Sequence, residues 1–104
     1  MKALLAILAT LAAAGVSANV AAATPAELAK QYNCLACHSV DKKVVGPSFK
    51  DVAAKYKGQA GAEDKLVDKV KKGGSGSFGP VPMSPNPQVP DADVRTLVKW
   101  VLAQ

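Results

Sequence analysis

The run Cys34-Leu35-Ala36-Cys37-His38 constrains this chain more than any other stretch. Two thiols three positions apart, followed at once by an imidazole, form the attachment signature of a covalently bound c-type haem. The spacing has a physical cause. Side chains at i and i+3 on one turn of helix point the same way, so both sulfurs can reach the two vinyl groups of one macrocycle as thioethers. The next residue then projects its imidazole towards the iron, which makes His38 the expected proximal ligand. His38 is the only histidine in the chain.

The start of the chain reads as an export signal. Met1-Lys2 supplies a positive end, Ala3 to Ala14 an apolar stretch relieved only by Thr10, and small residues follow. The apolar run is too short for a stable bilayer anchor. Cleavage is therefore expected after Ala18, Ala22 or Ala23, and Ala22 is favoured because a structured pattern begins at Thr24. This divides the chain into a signal peptide over 1–22 and one domain over 23–104, without a membrane span after cleavage. Export places the work in the periplasm. Below roughly 80 residues an apolar core alone gives only a few kcal/mol, so a domain near that size usually needs a staple. A haem held by two thioether bonds would be that staple.

Four helical signals alternate with turn signals, and no stretch shows the alternation of a strand, so the fold class is all-α. Thr24-Pro25-Ala26-Glu27 has the form of a capping box opening a helix from about Pro25 to Asn33, directly before the haem motif. Ser48 opens a second helix, with Phe49, Val52, Ala53 and Tyr56 on one face until Gly58. A third runs from about Ala62 to Lys72. Its acids lie in the first turn and Lys71 and Lys72 in the last, as the helix dipole favours. The fourth starts at Asp91, read as its N-cap, and turns Val94, Leu97, Val98, Val101 and Leu102 inward, with Trp100 as core packing at the stripe's edge.

Between the last two helices lies a long segment, Gly73 to Pro90, rich in Gly, Ser and Pro; loops of this length are usually functional or disordered. It contains Met83, with Pro80, Pro82, Pro85 and Pro87 around it. A thioether is a weak neutral donor that binds iron well only from a loop already shaped, and proline reduces the disorder lost on ligation. Met83 is thus the expected sixth ligand. A His/Met pair raises the reduction potential and fills both axial positions, which favours one-electron relay over catalysis. The second nitrogen of a ligating imidazole wants a fixed acceptor, and Gly46-Pro47 is the candidate region, because a proline carbonyl is free to accept.

From about 23 onward the sequence resembles the short single-haem class I bacterial cytochromes c of the cytochrome c-551 type. Besides C-x-x-C-H, the matching stretches are Val45-Gly46-Pro47, Lys50-Asp51-Val52-Ala53-Ala54-Lys55, Gly58-Gln59-Ala60-Gly61-Ala62, Gly79-Pro80-Val81-Pro82-Met83 and Lys99-Trp100-Val101-Leu102. The resemblance implies about four helices around one covalent haem c and its iron, with the porphyrin edge exposed. It also implies Cys34 and Cys37 as attachment points, His38 and Met83 as axial ligands, the Pro47 carbonyl as acceptor for the His38 ring, and Asn86 as hydrogen-bond neighbour of the Met83 sulfur. Two positions depart from relatives. Phe78 stands where many have a tryptophan bonding a haem propionate, and Lys69 where some have an arginine doing the same. Phe78 has no such donor, so one propionate is expected to be held more loosely.

The resemblance further implies periplasmic partners: the cytochrome bc1 complex upstream, and nitrite reductase, cytochrome c peroxidase, a terminal oxidase or a small copper protein elsewhere. The chain's net charge of +5 suits steering towards acidic redox partners, and Lys30, Lys42 and Lys43 lie near the motif. Lysines interleaved with acids, without a nucleic-acid motif, argue against a nucleic-acid binder. No long apolar surface stripe demands a dimer, so a monomer is expected. Two other readings of the motif stand beside electron relay: a haem sensor or peroxidase-like protein with a labile sixth site, and a C-x-x-C dithiol oxidoreductase. The latter normally needs a βαβ setting. Structural zinc is weaker, since Cys34, Cys37 and His38 have no fourth donor among histidines and cysteines.

Overall fold

A computed structural model describes Gly15 and residues 22–104. The rest of the expected signal peptide lies outside the described residues. Four α-helices follow in order: α1 (Pro25–Gln31), α2 (Phe49–Tyr56), α3 (Ala62–Lys72) and α4 (Asp91–Leu102), with a 3₁₀ turn over Cys34–Ala36 between the first two. Among the described residues there is no strand, only isolated bridges His38 to Lys43 and Gly74 to Met83. Nor is any helix there long and apolar enough to cross a membrane.

Each helix begins and ends for a local reason. The Thr24 hydroxyl accepts from the Glu27 N–H at 3.2 Å and donates to the Glu27 carboxylate at 3.0 Å, so the expected box closes side chain to side chain. Helix α1 stops at Gln31, two residues short of the expected Asn33, because Asn33 adopts a left-handed φ of 60° that no helix can continue. Ser48 caps α2 by accepting from the Asp51 N–H at 3.1 Å.

The start of α4 also departs from expectation. Asp91 is its first helical residue, Pro90 holds the N-cap position, and no side chain caps the end. The Pro90 carbonyl accepts from Asp93 and Val94, both at 3.0 Å, while the Asp91 carboxylate turns to Lys71 instead.

Helix α4 is the spine, in contact with α1, α2 and α3. Val94 is fully buried, and Val98 joins it against Val52 of α2, Leu66 of α3 and Val89 from the preceding loop. A second cluster sets Leu97 against Leu28 and Ala29 of α1, with Tyr32, Cys34 and Trp100 beside it. Burying a Val- or Leu-sized side chain is worth about 1.5–3 kcal/mol, so the spine gathers most of the apolar stabilisation. Two polar ties fix its angle. The Tyr32 hydroxyl donates to the Asp93 carboxylate at 2.6 Å, and Arg95 reaches Glu63 and Asp64 of α3 at 2.8 and 3.0 Å.

Candidate haem site

The cysteine motif does not sit on α1. It follows it as a 3₁₀ turn, in which the Cys34 carbonyl accepts from both Cys37 N–H (3.3 Å) and His38 N–H (3.0 Å). In a 3₁₀ turn residues i and i+3 eclipse each other, which aligns the two thiols better than an α-turn would. Cys34 is half-buried and Cys37 exposed, and both are unpaired. Burial pushes the Cys34 thiol above its ordinary value. A redox-active C-x-x-C needs the opposite, a thiol held low, so this environment speaks against the dithiol reading. Among the described residues no three His, Cys, Asp or Glu side chains converge to hold a metal ion, which leaves the zinc reading without a donor set.

His38 is held on three sides. Its Nδ1 lies 2.8 Å from the Pro47 carbonyl oxygen, which can only accept; Nδ1 therefore carries the proton, and Nε2 keeps a free lone pair. The Phe49 ring stacks on the imidazole at 5.3 Å between centroids and 24° between planes, and Trp100 meets Phe49 edge-on at 5.4 Å. On another side Gly46 comes so close that a Cβ there would lie 2.6 Å from Cε1 of the ring. Only glycine leaves space for the imidazole in this orientation. The sequence alone places Phe49 on the core face of α2 and Gly46 in the acceptor region and a matching stretch, with the Gly-Pro pair just before Ser48 as the signal for this close packing.

Met83 arrives from the other arm. Its N–H and carbonyl pair with the carbonyl and N–H of Gly74 at 2.8 and 3.0 Å, fixing the middle of the loop to its own start. Gly73, with φ of 69°, passes so near that a Cβ would lie 2.3 Å from the Met83 carbonyl oxygen.

All eight residues singled out for the haem line one cavity: Cys34, Cys37, His38, Pro47, Lys69, Phe78, Met83 and Asn86. Its floor is apolar, from Phe49, Val52, Leu66, Leu97 and Val98. At its mouth Val45, Phe78 and Val81 are exposed, and Leu35 and Val44 nearby are exposed as well. Phe78 is covered by the ammonium of Lys55, 4.5 Å above the ring centroid; Lys55 also donates to the Ser77 carbonyl. The Asn86 amide donates to the Val70 and Ser84 carbonyls, at 3.3 and 3.1 Å. Lys69 projects from α3 towards Gly74, where a Cβ would lie 3.3 Å from its Nζ.

The cavity fits a haem on its own chemistry. Two thiols and an imidazole with one free lone pair line it from one segment, a methionine lines it from another, and the floor between them is apolar, as a macrocycle requires.

Comparison with known proteins agrees. The family model for Cytochrome c matches residues 22–104. The chain is 56% identical over 75 residues to cytochrome c-551 of Allochromatium vinosum, covering 72% of this chain and 80% of that one. It is 54% identical over 80 residues to cytochrome c-551 of Pseudomonas aeruginosa, covering 77% and 76%. The crystal structure of Nitrosomonas europaea cytochrome c552 superposes with a TM-score of 0.73 at 51% identity, covering 75% of this chain and 96% of that one. The chain belongs to the cytochrome c family, and is a small all-α electron-transfer protein of the c-551 type with one covalently bound haem c.

Proposed function

We propose that Cys34 and Cys37 would carry the thioether bonds and that His38 and Met83 would hold the iron. The observation that carries this reading is the single cavity that all four residues line, with His38 already oriented by the Pro47 carbonyl. When bound, the haem supplies a one-electron couple. The chain supplies everything that tunes it. The Pro47 carbonyl holds the proton on Nδ1 of His38 and raises the basicity of Nε2. The Met83 thioether is a weak neutral donor and favours ferrous iron, keeping the potential high. The apolar floor excludes water. Lys69 brings a cation to the cavity wall, suited to one propionate, while Phe78, without a donor, leaves the other to Lys55 or solvent. Asn86 supports Met83 through the backbone of α3 and of its own loop.

The rim of Val45 and Val81 offers an apolar contact for electron exchange, and the exposed Lys42 and Lys43 offer positive charge close by. Partners in this reading are periplasmic redox proteins such as a cytochrome bc1 complex, a nitrite reductase, a cytochrome c peroxidase, a terminal oxidase or a small copper protein. Contacts of this kind are small and brief, and are weakened by salt. The domain starts near residue 23 once the leader is cut. The ligand assignment is tested by the ferric absorption spectrum: the long-wavelength methionine-to-iron band should be present in the wild type and absent in Met83→Ala, which should bind cyanide or imidazole readily and show a lower potential. A band retained in Met83→Ala would overturn the assignment. Fractionation of cells, with the haem-carrying protein in the periplasmic fraction, tests the location.

A further inference from the structure

We propose that Lys71 is a positioning residue for Met83, clasping the return limb of the methionine loop to α3; this rests on Met83 being the axial ligand. The Lys71 ammonium donates to the Val89 carbonyl at 3.0 Å and to the Asp91 carboxylate at 2.6 Å. Its side chain is only 27% exposed, against 84% for Asp91. Val89 is 2% exposed and belongs to the main core cluster, so the carbonyl that Lys71 grips sits on the most firmly anchored residue of the limb. The other attachments of that limb also go to the end of α3: the Asn86 N–H to the carbonyls of Val70 (3.0 Å) and Lys71 (3.2 Å), and the Asn86 side chain to Val70.

Met83 therefore sits between two clasps. Before it, the Gly74 pair ties it to the loop's start; after it, residues 86–91 are tied back to residues 70 and 71. Only Ser84 and Pro85 separate the methionine from the second clasp. A weak neutral sulfur ligand stays bound only while the backbone presenting it is held in place. Loosening the return limb populates a conformer with the sulfur withdrawn, in an otherwise folded protein. Within the clasp the carbonyl contact outweighs the ion pair. A charged donor makes a strong hydrogen bond to a carbonyl, whereas an ion pair with a carboxylate as exposed as that of Asp91 contributes little. A plain helix-end role is the competing explanation, since a lysine in the last turn of α3 also complements the dipole. That role would affect global stability and nothing at the iron.

The test uses the haem-loaded ferric protein. Imidazole is titrated against loss of the methionine-to-iron band, and unfolding in guanidinium is followed separately by far-ultraviolet circular dichroism. Apparent affinity for an incoming ligand rises with the fraction of the detached conformer, so Lys71→Met should bind imidazole about five- to tenfold more tightly than wild type. Lys71→Arg, which keeps a charged donor, and Asp91→Asn, which keeps the carbonyl contact, should each stay within about twofold on the same argument. A Lys71→Met protein that unfolds earlier but binds imidazole like wild type would overturn the proposal. So would equal effects of Lys71→Met and Asp91→Asn, which would give the work to the ion pair. Lys71→Leu, which likewise has no donor, takes the place of Lys71→Met if that variant yields too little holoprotein. Met83→Ala is measured alongside: a band surviving there refutes the ligand assignment itself, whereas its loss there with no change in Lys71→Met refutes only the clasp.

Discussion

The two arms that bring His38 and Met83 to one cavity are built on opposite plans. The first, Cys34 to Pro47, is short, and its key residues fix one another: a 3₁₀ turn aligns the thiols, the Cys37 carbonyl accepts from the Gly46 N–H at 2.8 Å, and Pro47 orients the histidine nine positions back. The second, Gly73 to Pro90, has no helix or strand of its own; beyond its internal Gly74–Met83 and Gly76–Gly79 hydrogen bonds it takes its shape from what it touches. Gly74, the end of α3 and the buried Val89 hold it at separate points. One arm carries its geometry in its own sequence; the other borrows it from the fold. Loss of the first arm's cysteines should therefore disable assembly, and damage to the second should loosen a ligand in a protein that still assembles.

The largest effect tests that contrast directly. Cys34→Ser with Cys37→Ser removes both attachment points, so the purified chain should show no added haem mass, and its far-ultraviolet spectrum should lose most of its helix. The apolar floor built from Phe49, Val52, Leu66, Leu97 and Val98 would face solvent without a macrocycle to cover it. A domain of this size has little stability to spare. Full helix content without haem would mean that α4 and its partners suffice alone, and the contrast between the arms would lose its basis.

Two glycine substitutions sharpen the comparison at the next scale. Gly73→Ala puts a Cβ on a residue with φ of 69° and within 2.3 Å of the Met83 carbonyl oxygen, a backbone atom that cannot step aside. Left-handed strain of about 1–3 kcal/mol adds to an overpacking cost of similar size. The expected outcome is loss of the methionine-to-iron band with the haem still attached. Gly46→Ala meets a side chain instead, 2.6 Å from Cε1 of His38, and the ring can tilt. A cost of about 1–3 kcal/mol in guanidinium unfolding is expected, with the band kept and the potential shifted as the imidazole turns from the Pro47 carbonyl. Reversal of the two outcomes would assign the arms the wrong way round.

The same contrast explains what could be read from the sequence. Cys34, Cys37 and His38 are legible because the chemistry needs them within five positions, and the helices are legible because Thr24, Ser48 and the stripe from Val94 to Leu102 act over a turn or two. Met83 stood out only through its prolines and the resemblance. Phe49 against His38, Gly73 against Met83 and Lys71 against Val89 were not legible, since each contact depends on how segments that are separate in sequence pack. The misplaced cap at Asp91 has the same origin: a carboxylate well suited to cap α4 was drawn to Lys71, twenty residues upstream.

The smallest effect separates the arms by pH. Beside each arm one titratable pair ends on α4: Tyr32 to Asp93 just before the cysteine motif, and Lys71 of α3 to Asp91 just after the methionine loop. The hydrogen bond to Asp93 holds the Tyr32 hydroxyl above its ordinary value, ahead of a lesser contribution from burial. That tie is complete below the unfolded value of about 10 and is lost as pH rises through the higher folded one. The hydrogen bond from Lys71, together with its charge, holds the Asp91 carboxyl below its ordinary value. This second tie is complete above about 4 and is lost as pH falls through the lower folded value. Asp91 is exposed and the Tyr32–Asp93 pair only half-buried, so the changes are slight, but they have opposite signs. Tyr32→Phe should flatten the alkaline limb of a plot of unfolding midpoint against pH and leave the acid limb unchanged. Asp91→Asn should do the reverse, because the tie it removes exists only while the carboxyl is ionised, and a common response of both limbs to either substitution would show that the arms are not held independently.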